Sequence, residues 1–306
     1  MAPNSESQSP DSQTFTLPNG RTLGYAIYGP LPSPSVPAIF YFHGIPGSRK
    51  EALLCTTLCA SFSVTIIAID RPGMGISTPQ PGRKILDWPS DVLAIADYLK
   101  IAQFSVIGDS GGSPYALACA KAIPESRLLK TAVVSGFYPS SSLGVKGMLF
   151  PVRVMLFASA WLPTVAVAKV LDWECGNAAR DPNPMVLEKA FMKTMEKRHE
   201  KDRKCLEDEE IRKVVIGSTR EALRQGSEGA AVDLGLVVGE WGFGLEEVVG
   251  QRVVLWHGRE DVNTPLGMAE KATGAMKGCE FHILDGETHL SLPLNRLEGI
   301  LRDLVR

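Results

Sequence analysis

The sequence predicts an α/β fold: a mostly parallel sheet with helices on both faces and a helical cap inserted late in the chain. Two observations carry this prediction. Residues 38–42, 64–69, 104–107, 130–135 and 253–256 are short runs, apolar at nearly every position and rich in β-branched or aromatic side chains. Runs of that kind suit strands buried on both faces. Between and after them lie helix-patterned stretches at 48–60, 85–99, 112–123, 264–276 and 290–305, and such alternation is the signature of a sheet layered by helices.

The elements follow in order. Residues 14–17 and 21–28 read as a hairpin around the turn Asn19-Gly20. The buried strands and their helices come next, as far as about residue 137. Residues 138–245 contain no convincing strand and are helical in pattern, apolar over 147–171 and heavily charged over 188–212, where EKRHEKDRK and EDEE occur. A charge run of this kind is expected to be a solvated helix face. The alternation resumes with the strand at 253–256 and a short one at 280–284. The division is therefore a disordered tail over 1–13, a core over 14–137 and 246–306, and a helical cap over 138–245, inserted before the strand at 253.

Composition excludes several classes. The chain has 306 residues, 44% hydrophobic and 22% charged, with 29 Gly and 21 Pro, which is globular rather than fibrous or disordered. A net charge of -2 gives no electrostatic reason to expect nucleic acid or an anionic membrane as the main partner. The Ser/Pro-rich start, MAPNSESQSPDSQT, lacks the apolar core of a signal peptide. The longest uncharged apolar run, 154–168, is too short for a membrane span and is interrupted by Pro163. Six cysteines without metal-like or paired spacing fit a reduced, cytoplasmic protein. Nothing in the sequence sets an oligomeric state; the expected partner is a small-molecule substrate.

The chemistry is concentrated in FSVIGDSGGSPYALACA, residues 104–120. Here Gly108-Asp109-Ser110-Gly111-Gly112 forms G-x-S-x-G between a strand and a helix, the setting in which a serine is raised on a tight turn as a nucleophile. The same letters, G-D-S-G-G, surround the nucleophile of chymotrypsin-like proteases. Those carry it late in an antiparallel, disulfide-bearing chain, whereas this serine comes early and opens a helix. A serine needs a base, and the base an orienting acid. His289 follows the strand at 280–284 in Asp285-Gly-Glu-Thr-His289, and Asp261 follows the strand at 253–256 in His257-Gly-Arg-Glu-Asp261. Ser110, Asp261 and His289 thus stand in the order serine, acid, histidine; Glu260 is the nearest competitor for the acid. Phe42-His43-Gly44-Ile45-Pro46-Gly47 follows the strand at 38–42. The Ile45 and Gly111 N–H groups are the candidate oxyanion-hole donors. His43 and His257, each at a strand end, are expected to anchor loop backbone, and no metal constellation appears.

With these residues in view, the chain resembles the α/β-hydrolase superfamily, particularly fungal and plant members with an H-G-x-P-G loop, a D-R-P-G-x-G-x-S turn (70–77) and a cap. The resemblance spans about 13–137 and 246–306. It implies hydrolysis of an ester, thioester, amide or C–C bond without metal or organic cofactor. Ser110 departs from the epoxide hydrolases and haloalkane dehalogenases, which carry Asp there; His43-Gly-Ile-Pro departs from the H-G-G-G of hormone-sensitive-lipase-like enzymes. Proline iminopeptidases share only the first loop. Phe150, Phe157, Trp161, Trp241 and Phe243 are candidates for an apolar or aromatic substrate pocket in the cap. The reading that follows is a serine esterase. A lyase, cyclase or C–C hydrolase of secondary metabolism and a ligand-binding receptor remain as alternatives on the same fold.

Overall fold

A computed structural model describes residues 10–305. Eight strands, β1 Gln13–Thr16, β2 Thr22–Tyr28, β3 Ala38–Phe42, β4 Thr65–Ile69, β5 Phe104–Asp109, β6 Leu128–Val134, β7 Val253–Gly258 and β8 Glu280–Leu284, form one sheet in the order β1-β2-β4-β3-β5-β6-β7-β8. The β1–β2 and β2–β4 pairs are antiparallel, and every later pair is parallel. Alternation along the strands explains why those runs had to be apolar throughout. Phe40, Phe42, Val106, Val133 and Leu255 face one side, where they meet helices α2 Trp88–Tyr98 and α3 Ser113–Ala122. Their neighbours Ile39, Tyr41, Ile107, Val134 and Val254 face the other, against α1 Thr56–Phe62 and the C-terminal helix. Each strand is sandwiched, so neither set of side chains can be polar.

Between β6 and β7 the chain leaves the sheet for α4 Ser140–Leu143, α5 Phe150–Trp161, α6 Thr164–Leu171, α7 Asn177–Arg180, α8 Pro184–Met195, α9 Glu200–Cys205, α10 Glu209–Ala222 and α11 Glu228–Val238. No strand lies in this stretch among the described residues. It has a small core of its own, with Val167, Leu171, Leu187, Leu223 and Ala230 closing over Met74 of the sheet domain. The chain then returns through β7, α12 Leu266–Ala275, β8 and α13 Ser291–Val305.

A fully buried ionic cluster joins insertion to sheet. Asp233 on α11 accepts from Arg71 Nε at 2.5 Å and from Tyr115 Oη at 2.7 Å, and it pairs with Arg83. The Arg71 guanidinium also lies 4.9 Å from the Tyr115 ring centroid. Burial alone would raise the Asp233 carboxyl, but the Arg71 and Arg83 charges pull it down to about 2.

The folded part begins earlier than the expected boundary at residue 14. Arg49, 1% exposed, donates from Nε to Asp11 O at 2.7 Å and from Nη2 to Ser12 Oγ at 2.9 Å. Its remaining nitrogen, Nη1, pairs with Asp70 at 2.6 Å and with Glu221 of α10 at 2.9 Å. Residues 10–12 are therefore part of the packed molecule, and 1–9 of the expected tail lie outside the described residues.

Asp233→Ala leaves two buried guanidinium groups without their carboxylate and should cost about 3–5 kcal/mol, read as a lower denaturation midpoint in guanidinium chloride. The sign with pH follows from the depressed carboxyl. The Asp233 contribution is complete above its unfolded value of about 3.9 and is lost as pH falls through about 2. Asp233→Asn should accordingly flatten the acid limb of the stability curve.

Candidate active site

Ser110 sits where β5 turns into α3, and its φ of +46° lies in the left-handed region that side chains seldom adopt. The turn is held by close backbone crossings. A Cβ on Gly112 would lie 2.1 Å from Phe42 O, and one on Gly108 would lie 2.8 Å from Gly112 O. Glycine at both positions lets β3, β5 and α3 converge beneath the serine, and a strained residue held by such packing marks a functional position.

The histidine and acid arrive from the next strands of the sheet. His289 Nε2 is 2.9 Å from Ser110 Oγ, and His289 Nδ1 is 2.7 Å from Asp261 Oδ2. With the carboxylate as acceptor, Nδ1 carries the proton and Nε2 accepts from the serine hydroxyl. Asp261 Oδ1 accepts from the backbone N–H groups of Asn263 at 2.8 Å and Thr264 at 2.9 Å, and Oδ2 accepts from Thr264 Oγ1 at 2.9 Å. Burial opposes ionisation of Asp261. The His289 charge and hydrogen bond, His257 and the Thr264 N–H outweigh it and hold the carboxyl below its usual range. For His289, burial works against protonation, but the Asp261 charge and hydrogen bond raise it above 6.5. Glu260, the competing acid, turns away to His199 at 3.4 Å and is about half exposed.

The loop after β3 wraps against this serine. Ile45 Cγ1 lies 2.5 Å from where a Gly111 Cβ would stand, and Ser110 Cβ lies 3.7 Å from where a Gly44 Cβ would stand. Arg71 braces the loop from below, donating to His43 O at 2.5 Å and Gly44 O at 2.9 Å. Glu51 accepts from Gly44 N at 3.0 Å. His43 Nδ1 donates to Gly44 O at 2.8 Å while its Nε2 accepts from Arg71 N at 3.2 Å; burial, aided by Arg71, keeps it well below 6.5. His257 Nε2 donates to Thr264 O at 2.7 Å. Both histidines thus hold backbone, as their positions at strand ends predicted.

No known family model matches the sequence, and no curated protein does. Solved structures do match over almost the whole chain. A hydrolase from Pseudomonas aeruginosa PA01 is 16% identical, covering 97% of this chain and 99% of that one, with a TM-score of 0.63. An enol-lactonase from Burkholderia xenovorans LB400 is 16% identical over 96% and 98%, with a TM-score of 0.61. An esterase from Rhodococcus sp. ECU1013 is 15% identical over 96% and 98%, with a TM-score of 0.64. The chain has the α/β-hydrolase fold. Likeness at these identities is one of architecture, and within the α/β-hydrolase fold the site must be argued from its own residues.

Several of those residues carried no signal in the sequence. The charged run was expected to be solvated, yet Asp202 on α9 is 2% exposed. It accepts from Leu290 N at 3.0 Å and Thr288 Oγ1 at 2.5 Å, the residues on either side of His289. Lys201 reaches the same loop, donating to Gly286 O at 2.5 Å. Part of the run is therefore a clamp on the histidine loop, with Asp202 turned inward to accept from one backbone and one hydroxyl donor of that loop and Lys201 donating to one of its carbonyls. Asp109 and Glu51 form a buried carboxyl pair beside the serine. Burial and the Glu51 charge push Asp109 well above its ordinary value, and burial pushes Glu51 up. Among the described residues Asp109 Oδ1 has no hydrogen-bond partner.

The five cap aromatics do not converge. Trp241 is 3% exposed, donates to Val237 O at 2.9 Å and packs on Phe243 at 5.7 Å between ring centroids. Phe150, Phe157 and Trp161 stand on α5 exposed at 74%, 68% and 76%. A cavity of about 370 Å³ opens instead between the 72–83 turn and α6 and α11, and no triad residue lines it. At the far end of β8, His282 lies 3.0 Å from Glu280 and 3.4 Å from Asp303. This trio has metal-ligand types, but it sits at the opposite end of its strand from the His289 loop.

In an NMR titration the His289 imidazole should lose its proton above pH 6.5. Asp261→Asn should lower that midpoint by at least a unit, the size expected from removing a contacting charge, and Asp202→Ala should lower it by less.

Proposed function

We propose that this chain is a cofactor-independent serine hydrolase of esterase type, cleaving an apolar or aromatic small-molecule ester or thioester. The observation that carries the reading is the unbroken Ser110–His289–Asp261 relay at 2.9 and 2.7 Å on a left-handed turn. Ser110 Oγ attacks the ester carbonyl as its proton passes to His289 Nε2, and Asp261 holds the imidazole through Nδ1. The negative charge developing on the carbonyl oxygen is met by the N–H groups of Ile45 and Gly111, close to the dipole at the start of α3. His289 returns the proton to the departing alcohol or thiol. Water, deprotonated by the same nitrogen, then hydrolyses the acyl-enzyme.

An apolar substrate is supported by the neighbours of the relay: Ile45 against Gly111, Phe137 with its N–H 3.3 Å from Ser110 O, Val262 next to Asp261 and Leu290 next to His289. The names of the similar structures, which include esterases and an enol-lactonase, support ester cleavage rather than any one substrate polarity. Six free thiols accompany our placement of the protein in the cytoplasm; among the described residues no helix is long and apolar enough to cross a membrane.

Treatment with a fluorophosphonate should add one adduct to the intact mass, absent in Ser110→Ala. That variant should lose at least about 10⁴-fold in kcat on short-chain p-nitrophenyl esters. Because the base must be neutral, kcat/KM should rise with pH through a midpoint above 6.5. A folded protein that takes no adduct would shift the reading to a lyase or a receptor.

A further inference from the structure

Helix α5 is apolar on two opposite sides. Leu156 faces inward and is 5% exposed. On the outer side Phe150, Val154, Phe157 and Trp161 recur at spacings of four, three and four, which places them within roughly 60° of one another on a helix with 3.6 residues per turn. They are exposed at 74%, 50%, 68% and 76%. Leu162, Val165, Val170 and Trp173 continue the apolar surface through α6 and the turn beyond it. Among the described residues, eight of the fifteen large exposed apolar side chains lie within 150–173. This is one concentrated patch rather than the scattered exposure that any protein shows.

Charge decides between occupants. Residues 139–171 contain Lys146, Arg153 and Lys169 and no acidic residue. All three cations are exposed, and none forms an ion pair among the described residues. The first acids beyond, Asp172 and Glu174, lie at the far margin, and Asp172 is held by Arg180 at 2.7 Å. A second copy docking face to face about a twofold axis would bring this cationic surface against itself. Exposed Trp and Phe on one helical face with Lys and Arg beside them are instead the composition of segments that lie in a lipid–water interface. Lys169, midway between Val165 and Trp173 at four-residue spacing, has the stem to reach headgroups while its neighbours insert.

We propose that the outer face of α5 and the α6 end beside it form a docking surface for an anionic phospholipid membrane, with the aromatic side chains inserted at the headgroup boundary and Lys146, Arg153 and Lys169 facing lipid phosphate or carboxylate groups. The cytoplasmic leaflet carries that negative charge. The α5 end of the patch lies near the proposed catalytic loops, since Leu149 N donates to Val262 O at 2.8 Å, one residue from Asp261.

The test is flotation with unilamellar vesicles, either pure phosphatidylcholine or phosphatidylcholine with about 30% phosphatidylserine, at about 0.1 M salt. Wild type should partition onto the anionic vesicles, with a blue shift in tryptophan emission, and poorly onto the neutral ones. Phe157→Ser/Trp161→Ser should weaken partitioning by at least about tenfold, because both side chains leave the bilayer boundary. Arg153→Gln alone should weaken it by about fivefold. All three positions are exposed, so the variants should keep the wild-type thermal midpoint. Equal binding to both vesicle types, or none to either, overturns the proposal. So does a concentration-dependent dimer that the double variant abolishes, or a double variant that binds vesicles normally while its KM for esters changes. The flotation, fluorescence and dimer readouts do not depend on Ser110, so failure of the hydrolase reading would be seen separately in the fluorophosphonate experiment.

Discussion

The guanidinium of Arg71 is the point on which the two halves of the molecule depend. Its three nitrogens reach His43 O, Gly44 O and Asp233, so one fully buried cation fixes the loop against Ser110 and the insertion above it. Such a group is costly to dehydrate and is tolerated only when every donor is paired. That condition binds distant parts of the chain together. Glycine is needed at 112 because Phe42 O presses on it, and that pressure lasts only while the loop after β3 stays in place. Asp202 does for the His289 loop what Asp233 does for the loop after β3. The insertion thus grips both sides of the proposed reacting centre with one buried carboxylate each.

The electrostatics separate three carboxyl groups within a small volume. Asp261 is surrounded by donors and stays ionised. Asp109 faces a second carboxyl with no compensating cation in contact, so burial favours its protonated form. Environment rather than residue type assigns the roles, as is usual where carboxyl groups crowd one site. An ionised Asp109 would offer His289 a second anion; a protonated one leaves Asp261 as the fixed negative charge on the imidazole.

The sequence made the sheet and the relay legible for definite reasons. A strand buried on both faces must be apolar throughout, so 38–42 could be read to the residue. The order serine, acid, histidine follows from strand ends that can be counted. What escaped depends on contacts between distant residues. Arg71 and Asp233 are 162 positions apart, and no local pattern marks Asp202 within the run EKRHEKDRK of residues 196–204. The cap aromatics escaped for another reason. A helix apolar on opposite sides has no period that says which side is inside, so Phe157 was read with the pocket although only its neighbour Leu156 is buried.

Arg49 has a consequence for where the folded unit starts. Two of its buried donors end on Asp11 and Ser12, ahead of the first strand, and the others end on Asp70 and on Glu221 of the insertion. Removal of the chain up to Gln13 by a protease would cut no regular secondary structure. It would nevertheless leave two buried donors of Arg49 unpaired at the hub joining β4, the loop after β3 and α10, and so weaken the seating of the insertion from the far end of the polypeptide. The N-terminal strap is a latch, and cutting it would act on the insertion from outside the site.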